Sequence, residues 1–296
     1  MGYNIIYILK MRLFFILKKP CISAILLLIP HIIFSQNNGE KNNNKGVLPE
    51  ISIQQIDSII NYGLTNHNPQ TYFAALYNTM VGEIYAANQD GHFTDSVLID
   101  YIQINFTQYY LRALNAYTTN DSLPYAWKAA LDTQNCKNCS YVQWLALGTN
   151  AHINNDLYFI LLEYFKTNGT ANHNDKKARK EFFRISARET DRIVTNFVRT
   201  DPNINWFEGF LIKNGKNGVK MQMKKFLKTT WQRAIEATEH PERKDEITRK
   251  QIEFTYKNAQ TLLHPHYPIK VGFTILKSLD QLPFETQLQM LEREKR

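Results

Sequence analysis

His152 and Asp156 stand four residues apart in the stretch Leu147-Gly148-Thr149-Asn150-Ala151-His152-Ile153-Asn154-Asn155-Asp156-Leu157. On a helix that spacing puts both side chains on one face. A carboxylate behind an imidazole fixes the ring's tautomer, so the other ring nitrogen can serve as a general base or bind a metal. Glu163 falls close to the same line, and Gly148 lies one turn earlier, where it removes a side chain under His152. Asn150 and Asn154 point roughly the opposite way. The six polar residues of the stretch, Thr149, Asn150, His152, Asn154, Asn155 and Asp156, can also be a structural network, because a neutral polar group left unpaired in an apolar interior costs roughly 1–3 kcal/mol and so must find partners.

Two acids outside this stretch are candidates to join it. Asp191 sits near the apolar face of a later helix, beside a stripe of Arg184, Arg188 and Arg192 that reads as a solvated face. Glu83 lies between apolar residues of an early helix. Either could supply a further ligand or acid to His152 and Asp156, the tentative metal pair. His264-Pro265-His266 could chelate a metal at a helix end, although a polar turn is the simpler reading. The motifs H-E-x-x-H, the paired E-x-x-H of di-iron bundles, G-x-S-x-G and the phosphate-loop glycines are all missing, which removes the commonest metalloprotease, di-iron, serine-hydrolase and nucleotide-hydrolase readings. Cys136 and Cys139 read as a small disulfide-closed loop, since no strand precedes them as a thioredoxin-like motif requires and no histidine follows as covalent haem requires.

The elements that must position these residues are helices. Pro49 opens a first, with Ile53, Ile56, Ile59 and Ile60 on one face and Gly63 at its end. Pro69 opens a second, through Phe73, Tyr77 and Ile84. Thr94 or Asp95 caps a third that runs to Tyr117. A short fourth surrounds Trp127. Ser140-Tyr141-Val142-Gln143 has the capping-box form, so the central helix starts there and runs to about Thr167. Its apolar side chains point at nearly every angle, which is the pattern of a helix buried all round. A charged helix spans 175–200, a short turn of helix 203–213, and 214–218 reads as a loop. Helices at about 219–239 and 241–263 follow, then a short one near 273–279 and a last one after Pro283. No stretch alternates as a strand would. The expectation is an all-α, single globular bundle of about eight to ten helices around a buried central helix.

The ends bound the setting. Lys10, Arg12, Lys18 and Lys19 precede the apolar run Cys21 to Phe34 with no acid before Ser35-Gln36, the outline of a secretory signal peptide over 1–36. The run is shorter than the roughly 20 residues a spanning helix needs, so no permanent membrane span is expected after cleavage. Met11 could serve as the start as well as Met1. Residues 37–47 read as a disordered polar linker, and 48–296 as one all-helical domain. The chain's formal charge of +8 includes those four leader cations. What remains is mildly basic, with its charges interspersed and no basic stripe interleaved with aromatics, so nucleic acid is not an expected partner. An exported, periplasmic or secreted protein is the expectation.

The string from Leu147 to Leu157 resembles the Gly-Met-Asn-Ala-His-Ile-Asn-x-Asp-Leu signature of an uncharacterised bacterial group catalogued as domain of unknown function 5995, with Thr149 in place of the methionine. Phe106 with Tyr109 or Tyr110, Ala113, and Pro124 to Trp127 are similar to that group's pattern, as are Asp191, Trp231 and Ala234 downstream. The resemblance covers most of the chain after the leader. It implies the fold and the location of the site, and it carries no activity.

The sequence thus leaves open whether the chain is an enzyme. One reading is a metal-assisted, hydrolase-like pocket around His152 and Asp156 with a divalent cofactor. Another is a non-catalytic bundle in which the His, Asp and Asn residues only satisfy one another. A third is a protein that holds a small molecule, lipid or peptide among its aromatic helices. Oligomeric state is not legible.

Overall fold

The computed structural model describes residues 47–68, 70–132, 139–170, 175–200, 208–267 and 269–291. The expected leader, the linker through residue 46, and Cys136 lie outside the described residues. The described residues form ten helices and no strand. These are α1 (Val47–Asn66), α2 (Gln70–Gln89), α3 (Ser96–Thr119), α4 (Tyr125–Leu131), the central α5 (residues 141–168), α6 (Asp175–Thr200), α7 (Glu208–Glu239), α8 (Lys244–Leu263), α9 (Ile269–Leu276) and α10 (Phe284–Gln289).

Local chemistry sets several of the boundaries. Asp95 caps α3 by accepting from the Leu98 amide at 3.0 Å, and Asn120 ends it in the left-handed conformation that asparagine tolerates (φ 58°). Ser140 and Gln143 form the expected capping box, with each side chain accepting from the other's backbone N–H at 3.3 and 3.0 Å. Gly63 does not end α1. The helix runs three residues further, and a side chain at 63 would collide with Thr71 of α2, so the glycine serves close packing between α1 and α2. Residues 214–218 are helical within α7, where a loop was expected. A glycine in a helix interior costs only about 1 kcal/mol, which the packing of a 32-residue helix along α5 and α6 offsets. The segment expected as helix near 273–279 begins earlier, as α9, and passes into a 3₁₀ turn over Lys277–Gln281.

α5 is enclosed by α2, α3, α4, α7 and α8. Leu147, Ala151, Leu157, Tyr158, Ile160 and Leu161 along it have no exposed surface. Trp127 and Trp231 are the largest fully buried side chains and flank it from α4 and α7. No residue of the helix from 141 to 162 is exposed, as its sequence pattern requires, whereas Glu163 and Lys166 in its last turns reach solvent.

It is not uniformly α-helical. Tyr141–Asn150 and Leu157–Asn168 are α-helical, and between them Ala151–Asp156 form a π-helical turn, in which the Leu157 amide reaches back five residues to the His152 carbonyl. Wide turns of this kind are rare and concentrate at functional sites. This one coincides with the polar insert.

Candidate functional site

Asp156 is completely buried and accepts three side-chain donors. The Trp127 indole N–H lies 3.0 Å from each carboxylate oxygen, the Asn155 amide donates to Oδ1 at 2.9 Å, and His152 Nδ1 lies 3.2 Å from Oδ2. A carboxylate only accepts, so the proton between His152 and Asp156 sits on Nδ1, and Nε2 carries a lone pair. Burial lowers the basicity of His152 below its ordinary value, and the hydrogen bond and charge of Asp156 offset part of that. The ring is neutral by preference. Its Nε2 is buried and has no hydrogen-bonding partner.

Aromatic rings enclose this imidazole. Phe106 stacks on it with centroids 3.8 Å apart, Tyr77 meets it edge-on at 4.6 Å, Phe73 at 5.5 Å and Trp127 at 6.2 Å. Tyr110 completes the shell by stacking on Trp127 and meeting Phe73 and Tyr77 edge-on. The Tyr77 hydroxyl is paired with Thr107 at 2.8 Å, and burial raises the pKa of both Tyr77 and Tyr110 well beyond the usual phenol range. Gly148 admits one wall of this shell: a β-carbon there would lie 2.3 Å from the Phe73 ring.

The other side of the wide turn is a closed network. Asn154 donates to the Asn150 side chain at 2.8 Å, Asn150 donates to the Thr255 carbonyl at 3.1 Å, and the Thr230 hydroxyl donates to Asn154 Oδ1 at 3.3 Å. The Asn154 backbone carbonyl receives the Gln251 amide at 2.5 Å and the Thr255 hydroxyl at 3.1 Å. Arg233 holds the Gln251 side-chain oxygen at 2.8 Å. Groups on α7 and α8, the Thr255 carbonyl among them, thus meet the Asn150 and Asn154 amides and the Asn154 carbonyl of the π turn, which is what lets it exist in a buried helix.

The two faces read from the sequence are therefore distinct surfaces. His152 and Asp156 address α2, α3 and α4, and Asn150 and Asn154 address α7 and α8. Three other candidates lie elsewhere. Glu163 is exposed, and its charge bears on Tyr101 and Tyr109. Extending the line from His152 at a constant 100° per residue fails because the π turn adds backbone between them, and one extra residue displaces later side chains by roughly 100°. Asp191 is half-buried and pairs with Lys220 at 3.0 Å. Glu83 is nearly buried and takes the Arg188 guanidinium at 2.8 Å, while Glu189 bridges Arg188 and Arg192. The arginine stripe thus includes two residues that tie α6 internally and to α2. His264 and His266 are exposed. Among the described residues no three or more His, Cys, Asp or Glu side chains stand together as a metal would require.

Sequence reasoning named His152, Asp156, Asn150, Asn154 and Gly148, and missed what surrounds them. Trp127 as the donor to Asp156, and Phe73 and Tyr77 as walls, come from contacts across helices, and Asn155 donates from the adjacent position on α5 itself. A signal existed for part of this set: Phe106, Trp127 and Tyr109 or Tyr110 belong to the pattern whose resemblance covers most of the chain after the leader, Phe106 and Trp127 meet the His152 and Asp156 pair, and Tyr110 stacks on Trp127.

The fold is an all-helical bundle whose central helix carries a buried histidine–carboxylate pair at a π turn, walled by aromatic rings. The chain belongs to the Family of unknown function (DUF5995), whose model matches residues 51–265. No curated protein and no solved structure matches it.

Proposed function

We propose that the protein is an acid–base site for a small molecule, built on His152 and oriented by Asp156. The carrying observation is the unpartnered Nε2 of a histidine whose Nδ1–H is committed to a fully buried carboxylate. Every amide on the opposite face of the π turn has a partner, whereas this basic nitrogen has none. A buried acceptor left without a donor loses about 1–3 kcal/mol, an expense that a structural histidine avoids and a ligand-facing one explains. A ligand O–H or N–H donates to Nε2. When the proton moves onto Nε2, the imidazolium formed is stabilised through Nδ1–H by Asp156, and Trp127 and Asn155 hold that carboxylate in place.

His152 offers a metal one nitrogen, and Asp156 already faces the other, so the proposal routes no step through a metal. Glu83 and Asp191 are engaged with Arg188 and Lys220 and have no part in it. A second reading attaches to the other face: Asn150, Asn154, Thr230, Gln251 and Thr255 satisfy one another and form a structural network that holds the π turn.

The setting belongs to the same proposal. The basic residues ahead of the apolar run over 21–34 support an exported protein, and the C-x-x-C spacing of Cys136 and Cys139 in such a protein supports a disulfide. Among the described residues no helix is long and apolar enough to cross a membrane.

The test is whether a small reagent reaches Nε2. Diethyl pyrocarbonate acylates neutral imidazole nitrogen, and peptide mass spectrometry can follow His152 beside the exposed His264 and His266 in the same chain. The folded protein should acylate at His152, and Asp156→Asn should slow that reaction while leaving the exposed histidines unchanged. Acylation of His152 only on unfolding would reduce the pair to a structural contact and overturn the proposal.

A further inference from the structure

A second polar atom in the same shell is also buried and unpartnered: the hydroxyl of Tyr110. Tyr110 has no exposed surface and His152 is 4% exposed. The two share three ring neighbours, Phe73, Tyr77 and Trp127, and Tyr110 lies one helical turn after Phe106, the ring stacked on His152. The same three rings thus border two residues that each carry an unpartnered polar atom, one offering a lone pair and the other a hydroxyl that can donate or accept.

We propose that Tyr110 is the second polar group of the site and that, with His152, it holds a small uncharged alcohol or phenol by its hydroxyl. The inference rests on the acid–base reading of His152 and names its ligand class. A hydroxyl is the simplest group that fits both, since it donates to Nε2 and accepts from Tyr110 through one oxygen. Anions are disfavoured because the Asp156 carboxylate stands directly behind the imidazole and is met by neutral donors only. Cations are disfavoured by the same burial that keeps His152 neutral, which acts on any positive charge brought to Nε2. The remainder of the ligand meets Phe73, Tyr77, Phe106 and Trp127, so it is apolar, and ring stacking favours an aromatic body. Tyr110 acts as a positioning residue, and no covalent step is assigned to it.

Four probes of one shape separate these terms: 4-methylphenol, toluene, 4-methylbenzoate and 4-methylbenzylamine, titrated into the full chain by calorimetry. The phenol should bind at least about tenfold more tightly than toluene, as expected for one net hydrogen bond in a buried site. Both ions should bind more weakly than the phenol. Tyr110→Phe should erase the advantage of the phenol and leave toluene affinity unchanged, so that toluene reports an intact fold. That variant should unfold no earlier than the wild type, because it removes a hydroxyl without a partner. The phenol should also protect His152 from acylation by diethyl pyrocarbonate.

If Tyr110→Phe binds the phenol as the wild type does, and the phenol still protects His152, Tyr110 has no part in the site and the His152 reading stands. Equal binding of phenol and toluene overturns the two-point recognition. If no probe binds yet His152 acylates in the folded chain, the ligand class is wrong and the acid–base reading survives. Absence of both binding and acylation removes the inference and the reading beneath it.

Discussion

The indole N–H of Trp127 is shared between both carboxylate oxygens of Asp156, 3.0 Å from each. The two residues are fully buried and lie on separate helices, α4 and α5. This contact connects the short α4 to the chemistry of the central helix, because the carboxylate it anchors is the one that orients His152.

Trp127→Phe keeps most of the ring volume and removes the donor. The carboxylate is then left with Asn155 and His152, and the lost bond to a charged group should destabilise the fold by about 1.5–3 kcal/mol in denaturant unfolding. The less satisfied carboxylate should draw more strongly on the His152 proton. Nuclear magnetic resonance titration of His152 should therefore show a more basic ring in the variant, and an unchanged titration would mean that Trp127 contributes packing alone.

Gly148→Ala sets two effects against each other. Alanine should favour the helix by about 1 kcal/mol, but its β-carbon would meet the buried Phe73 ring at 2.3 Å. Phe73 is the wall shared by His152, Tyr77, Tyr110 and Trp127, so it has little room to withdraw. Overpacking of this sort typically costs about 1–3 kcal/mol, and the net change should be destabilising. Combining Gly148→Ala with Phe73→Leu should recover part of the loss, and simple additivity of the two would contradict the contact.

The π turn depends on residues far along the chain. Thr255→Val and Gln251→Leu each remove a donor from the Asn154 carbonyl, and Gln251→Leu also breaks the contacts with Thr230 and Arg233. Each should destabilise by about 1–3 kcal/mol. Because both act on one carbonyl, the double variant should lose less or more than the sum, with a coupling of about 0.5 kcal/mol or greater. Amide exchange at residues 151–157 should rise more than in α3, which neither residue touches.

These dependencies explain how far the sequence could be read. Ser140 with Gln143 and Asp95 with Leu98 are local devices, complete within four residues, and they place the starts of α5 and α3 as expected. The polar insert is equally legible, since amides and a carboxylate in an apolar helix demand partners wherever these come from. The wide turn is not legible, because the donors that satisfy it sit about a hundred residues later on α8. Its consequence, the exposure of Glu163, is hidden for the same reason. Asp191 and Glu83 illustrate the remaining gap: a helical period places a carboxylate near a face without saying that a lysine or an arginine already holds it.

The pH dependence of stability follows from His152. Burial depresses its folded-state pKa below 6.5, whereas in the unfolded chain it returns to that ordinary value. Between the two values the unfolded chain holds a proton that the folded chain does not, so stability increases with pH across this window. Above about 6.5 both states are neutral at this position and its contribution is level. As pH falls through 6.5 the unfolded state gains the proton first, and the loss continues until the folded-state value is passed. His152→Gln removes this group while keeping a polar side chain. Unfolding free energies measured from pH 8 down to pH 4 should decline less steeply below 6.5 in the variant than in the wild type. Parallel curves would mean that His152 titrates normally in the folded protein, and that the aromatic shell and the buried position fail to hold it neutral.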